Sequence, residues 1–131
     1  KNNLNYVIKN IYPKSDLLTP NIYEYNIIKK LFNIDNNINN ILVTNYSVKN
    51  NEIVLNLKTS NYQKEKNFSI KKFKKKFHGT GCTFSTAIAC NISKNISIEK
   101  SIKISLLYMK ESIINSSVNG KKQSFLSRNL L

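Results

Sequence analysis

Apolar residues recur at helical spacing from Leu4 to Tyr12, with Leu4, Val7, Ile8 and Ile11 on one face and Pro13 ending the segment. Asp16-Leu17-Leu18-Thr19 is a short apolar run that reads as a strand stopping at Pro20. A second helix is predicted after Asn21, with Ile27, Ile28, Leu31 and Phe32 facing the core. Ile41-Leu42-Val43-Thr44 is apolar without alternation, the pattern of a strand covered on both faces, as in a parallel sheet. Ile53 to Leu57 and Tyr62 to Ile70 predict two more strands joined around Thr59-Ser60-Asn61. Phe84, Ala87, Ile88 and Ile92 share one face of a helix ending near Ser93. Ser97 then reads as the N-cap of a longer helix, with Glu99 in its first turn. Its core stripe is Ile98, Ile102, Leu106, Met109 and Ile113. From Ser116 the chain is polar until Phe125-Leu126 and Leu130-Leu131, and this tail is expected to be loosely ordered.

Composition narrows the class. A length of 131 residues with 40% hydrophobic content suits one domain with a real core. No apolar run approaches a membrane span, and no signal-peptide pattern opens the sequence. Lys1 leads and the sole methionine is Met109, which reads as a piece of something longer. The net charge of +14 raises nucleic acid as a partner, but the charge is almost all lysine, with Arg128 the single arginine. Recognition of bases and phosphates favours arginine, and lysine, asparagine and isoleucine are abundant everywhere, so the charge is read as compositional bias. Cys82 and Cys90 are eight residues apart on one predicted helix, about 12 Å along its axis, too far for a mutual disulfide. With His78 as the only histidine and no Cys-x-x-Cys, a zinc site is disfavoured, and a reducing cytoplasm is the consistent compartment.

The chemistry concentrates in His78-Gly79-Thr80-Gly81-Cys82-Thr83-Phe84-Ser85-Thr86-Ala87-Ile88-Ala89. Glycines at a helix entrance permit a tight turn and close approach of a ligand to the backbone. The first N–H groups of a helix lack intrahelical partners and carry the positive end of its dipole, which makes an anion site. Gly79, Thr80, Gly81 and Cys82 supply those groups, and a thiolate at Cys82 is stabilised there. No Gly-Lys-Ser/Thr follows, so this is not a Walker A loop, and without a third glycine it is not a dinucleotide fingerprint. Upstream, Asn21 and Glu24 stand at N-cap and N3 spacing, a capping box. Lys71 to Lys76 reads as a solvated loop anchored by Phe73, or as an electrostatic lure for a polyphosphate. Cys90 reads as core, and His78 as structural.

Taken together, His-Gly-Thr-Gly-Cys-Thr-Phe-Ser-Thr-Ala-Ile-Ala and Thr19-Pro20-Asn21-x-x-Glu24 resemble two segments of the hydroxymethylpyrimidine/phosphomethylpyrimidine kinases, in the ribokinase-like superfamily. The resemblance runs from about Leu4 to about Ser116 and corresponds to the C-terminal half of that family. It implies an α/β, ribokinase-like fold: the C-terminal portion of a mostly parallel sheet flanked by helices, one partial kinase domain over residues 1–131. It implies ATP as co-substrate with Mg²⁺, Asn21 and Glu24 near the metal and its waters, and Glu24 reaching the metal through water. It implies Cys82 as the base and Gly79 to Cys82 as the anion hole for the transferring phosphoryl group. Where the family has a Lys-Gly-Gly-His-like turn against the nucleotide, this chain has Thr44-Asn45-Tyr46-Ser47, and Phe77 replaces a small polar residue.

The implied activity is phosphorylation of hydroxymethylpyrimidine or its phosphate in thiamine biosynthesis. A pyridoxal or pyridoxine kinase shares the Gly-Thr-Gly-Cys pattern and is the neighbouring alternative. A basic nucleic-acid-binding protein and an inactive truncated remnant are alternatives of other classes. On the kinase reading the small-molecule pocket needs the missing N-terminal half, or a homo-oligomer partner, to be complete.

Overall fold

A computed structural model describes residues 2–31, 38–59, 65–75, 77–116 and 124–128. The chain divides into two compact units, residues 1–71 and 72–131.

In the first unit, α1 (Asn2–Asn10) is followed by a short 3₁₀ turn (Tyr12–Lys14), where Pro13 fits because a helix start needs no N–H from it. Residues 16–20 are extended and run parallel to β1 (Asn40–Lys49) through the bridges Leu18–Ile41 and Asn21–Thr44. Leu18 N–H donates to the Asn40 carbonyl (3.0 Å), Leu42 N–H to Leu18 (2.8 Å), and Thr44 N–H to Pro20 (2.8 Å). Between these two segments lies α2 (Ile22–Leu31), so after α1 and the 3₁₀ turn the chain runs extended segment, helix, parallel strand. Tyr25 and Ile28 of α2 are buried with Ile38, Ile41 and Val43, and Tyr12, Leu18 and Ile22 pack against them. The predicted α2 face is therefore rotated: Ile27 and Leu31 are exposed, and Phe32 lies outside the described residues. An aromatic ring at Tyr25 buries more surface than either aliphatic side chain, which turns that side inward.

The chain then departs from the mostly parallel expectation. β1, β2 (Glu52–Thr59) and β3 (Lys66–Lys71) form an antiparallel ladder in chain order. Asn50 and Asn51, at φ 50 and 60, make the two-residue turn between β1 and β2. Two successive left-handed residues match the twist of a hairpin, and asparagine tolerates them. Buried Ile41, Leu42 and Val43 lie on both faces of β1, as the unalternated pattern predicts. The expected turn at Thr44 to Ser47 is instead an irregularity inside β1, where Val43 pairs Asn56, Ser47 pairs Val54, and Asn45 takes φ 51.

Asn56, almost fully buried, donates from Nδ2 to Glu65 and to Asn67. Glu65 also accepts from the Lys58 ammonium, and that hydrogen bond is the main reason its carboxyl lies below the ordinary glutamate range; burial works in the opposite direction. A depressed folded pKa gives stability that is present above about pH 4.3 and lost as pH falls through the lower folded value. Because Glu65 is half exposed and screened by water, Glu65→Gln is expected to cost less than about 1 kcal/mol near neutral pH. Urea titrations of both proteins should converge as the pH drops well below about 4.

In the second unit, β4 (Phe77–His78) leads through Gly79 into α3 (Thr80–Ile92), which turns back as α4 (Ile98–Ile114). Thr83, Phe84 and Ile88 are the buried residues of α3. On α4 the buried positions are Ser101, Ile102, Ser105, Met109 and Ser112, with Ile98, Leu106 and Ile113 half buried. Serines thus hold the innermost positions of the predicted stripe. Their small size allows close approach, and two of the hydroxyls find partners: Ser101 donates to Ile96, and Asn91 donates to Ser105, while Ser112 Oγ has no hydrogen-bond partner among the described residues. Ser97 stands at the N-cap, but its side chain makes no capping bond. Residues 124–128 of the tail are ordered: β5 (Ser124–Phe125) pairs in parallel with β4, and Leu126 is buried.

Candidate active site

Gly79 sits in the left-handed region (φ 79, ψ 11), which a residue with a Cβ enters only under strain. The helix starts directly from that turn, and Thr83 N–H is the first to find a carbonyl within it, that of Gly79 at 2.9 Å. The N–H groups of Thr80, Gly81 and Cys82 come before that bond and have no intrahelical acceptor. Glycine has no side-chain oxygen to cap them. At Gly81 an added Cβ would meet nothing within 4 Å, so this glycine leaves open space at the helix mouth.

Cys82 is a free, exposed thiol in the first turn of α3, on the boundary of a cavity of about 430 Å³ also lined by Thr83, Tyr108 and Arg128. Its exposure means that Cys82 is not part of the core. Cys90 is exposed as well, which corrects its assignment to the core; the α3 face carrying Cys82, Thr86 and Cys90 points away from Phe84 and Ile88. His78 is exposed in β4. Lys72, Lys74 and Lys75 are exposed around a half-buried Phe73, the solvated loop that the sequence predicts; Lys76 lies outside the described residues.

Asn21 and Glu24 form a full reciprocal capping box at the start of α2. Asn21 Oδ1 accepts from the N–H groups of Tyr23 (2.9 Å) and Glu24 (3.0 Å), and Glu24 Oε2 accepts from Asn21 N–H (2.9 Å). The pair stands at the carboxyl end of the extended segment 16–20, the end at which α/β sheets bind ligands. Glu24 is exposed and lines a cavity of about 430 Å³ with Thr19, Pro20 and Ile27. Mg²⁺ takes one or two carboxylates and completes its shell with water and substrate phosphates. Glu24, whose capping bond uses only Oε2, fits that mode, and among the described residues no cluster of three ligating side chains offers a closed cage.

The structure thus joins Asn21 to Glu24 in the first unit and assembles Gly79 to Cys82 in the second. Sequence reasoning missed Arg128 and Thr83 at the second site. The signal for Arg128 was its being the single arginine in a lysine-rich chain.

The family model for phosphomethylpyrimidine kinase matches residues 1–126. This chain belongs to the phosphomethylpyrimidine kinase family. It is 32% identical over 115 residues to the bifunctional thiamine biosynthesis protein ThiDN of Methanocaldococcus jannaschii, covering 88% of this chain and 26% of that protein. Among solved structures it is similar to the pyridoxal kinase of Staphylococcus aureus in complex with AMP-PCP, with a TM-score of 0.83 at 16% identity. That match covers 99% of this chain and 54% of the kinase. The ADP complex of Bacillus subtilis pyridoxal kinase is also similar, at TM-score 0.76 and 16% identity over 94% of this chain and 51% of that one. These neighbours bear out the ribokinase-like α/β fold. The chain spans about a quarter of ThiDN and about half of each pyridoxal kinase. Among its described residues no helix is long and apolar enough to cross a membrane.

Proposed function

We propose that the protein carrying this chain transfers the γ-phosphoryl group of ATP to the hydroxyl of hydroxymethylpyrimidine, or to the phosphate of its monophosphate, in thiamine biosynthesis. The observation that carries this reading is the Gly79 turn: it opens α3 with three N–H groups that have no acceptor within the helix, beside an exposed thiol. Phosphoryl transfer asks a protein for positioning and for stabilisation of charge on the migrating group. The N–H groups of Thr80, Gly81 and Cys82 are donors of that kind, fixed before the reaction starts. The Cys82 thiolate takes the proton of the attacking hydroxyl as the oxygen–phosphorus bond forms and ADP leaves. Asn21 and Glu24 would hold the water shell of Mg²⁺, and that ion would supply positive charge to the ATP phosphates.

Residues 1–131 then form one partial kinase domain in the cytoplasm. Its pyrimidine pocket is completed by an N-terminal half or by a second copy. Incubating the complete protein with γ-labelled ATP and, separately, hydroxymethylpyrimidine, its phosphate and pyridoxal tests the proposal. Label transfer to a pyrimidine acceptor supports it. Transfer only to pyridoxal would move the protein to the pyridoxal kinase reading, and no transfer at all to the inactive remnant.

Glu24 offers a cleaner test of the metal role. Glutamine retains the carbonyl oxygen that a capping box needs and loses the charge. Glu24→Gln is expected to leave stability within about 0.5 kcal/mol. Its kcat/KM for MgATP should fall about tenfold or more, the scale of a lost charge-assisted contact. Equal loss of stability and activity would reduce Glu24 to a cap.

A further inference from the structure

We propose that Arg128 is the side-chain arm of the anion site at Gly79, its guanidinium contacting the phosphate group held by the first N–H groups of α3. The inference rests on the kinase reading and adds a residue to it.

The tail reaches the site through backbone pairing. β5 runs parallel to β4, Phe77 opposite Ser124 and His78 opposite Phe125, so the chain leaving β5 advances alongside the chain entering the Gly79 turn. Two bonds to α4 then fix it: Ser127 N–H donates to the Ser112 carbonyl (3.1 Å), and the Tyr108 hydroxyl donates to the Arg128 carbonyl (3.3 Å). With its backbone held this way, Arg128 lies against the turn. A Cβ built on Gly79 would come within 3.2 Å of Arg128 Nη2.

Nothing within the described chain accounts for a cation at that spot. Among the described residues Arg128 has no carboxylate partner. It lies against the Gly79 turn, from which the helix starts with donors that have no intrahelical acceptor, and that positive end of the helix repels a nearby cation unless an anion lies between them. A second, independent sign of a ligand is Thr83. It is 8% exposed and lines the same cavity as Cys82 and Arg128, and its Oγ1 has no hydrogen-bond partner among the described residues. A buried hydroxyl without a partner is costly, and a bound phosphate with its water would satisfy it. Arginine also differs in kind from the many lysines of this chain, since its planar fork makes two parallel bonds to one phosphate.

The test uses inorganic pyrophosphate, titrated calorimetrically into the protein carrying this chain and into its Arg128→Gln, Arg128→Lys and Lys110→Gln variants. Lys110 is exposed on α4 and controls for the loss of one charge. Arg128→Gln is expected to weaken binding about tenfold or more, Arg128→Lys by less, and Lys110→Gln by under about twofold. Equal binding by the parent and Arg128→Gln overturns the proposal, and so does an equal loss in Lys110→Gln. Both of those results leave the kinase reading standing. A parent that binds no pyrophosphate removes the anion site itself, and with it the kinase reading.

Discussion

Cys82→Ala is expected to lower kcat by about a hundredfold or more, the scale of a lost general base, while KM for ATP changes little. The split follows from which atoms do what. The donors proposed for the anion are main-chain N–H groups, and alanine keeps all of them in position. Alanine is also a strong helix former, so the first turn of α3 survives. Cys82 is exposed, so removing its sulfur opens no cavity, and stability should stay within about 0.5 kcal/mol. A steady-state assay of the complete protein, with thermal unfolding alongside, separates the two quantities. Turnover near that of the parent would remove the base role and leave the backbone as the sole contribution of this turn. The residual rate in the variant then measures what the N–H groups achieve alone.

The sequence was most readable where one physical constraint dominates. Gly79 demands a left-handed turn, and the helix after it begins where the two-glycine pattern predicts. Asn21 and Glu24 are bound to one another by short-range geometry that spacing alone specifies. Ile41 to Val43 gave a doubly covered strand because three consecutive apolar residues admit no exposed face. Strand direction was a different matter. A run such as Ile53 to Leu57 has the same pattern in either direction, and the deciding feature was the turn at Asn50-Asn51. The polar tail concealed Arg128 for a related reason: β5 is two residues long, too short for any periodicity, and backbone pairing to β4 decides where it lies. Tyr25 was passed over because its hydroxyl masks how much apolar surface its ring buries. The cysteines show the converse, since Cys90 lies one helical turn beyond Thr86 on the open face of α3 and, like Cys82, is exposed.

Ile102→Ala is expected to destabilise the chain by about 2–5 kcal/mol, the largest effect of any single substitution considered. Ile102 has no exposed surface, and it is flanked along α4 by Ser101 and Ser105, which are equally buried. Serines let the helices approach closely but contribute little apolar area of their own. The large side chains at Ile102 and Met109 therefore carry most of what α4 buries. Removing three carbons from Ile102 loses their transfer energy and leaves a void that small neighbours do not fill. Hydroxyls make that void worse: Ser101 and Ser105 already have their hydrogen bonds, to Ile96 and from Asn91, and are not free to shift inward. The higher helix propensity of alanine returns only a few tenths of a kcal/mol. Leu107→Ala supplies the contrast. Leu107 lies on the same helix at 65% exposure, and its loss should cost under about 0.5 kcal/mol. Urea denaturation of the two variants decides the matter. If Ile102→Ala matched Leu107→Ala, the burial of the α4 stripe would not be what holds the helix, and the serine hydrogen bonds would have to carry that load.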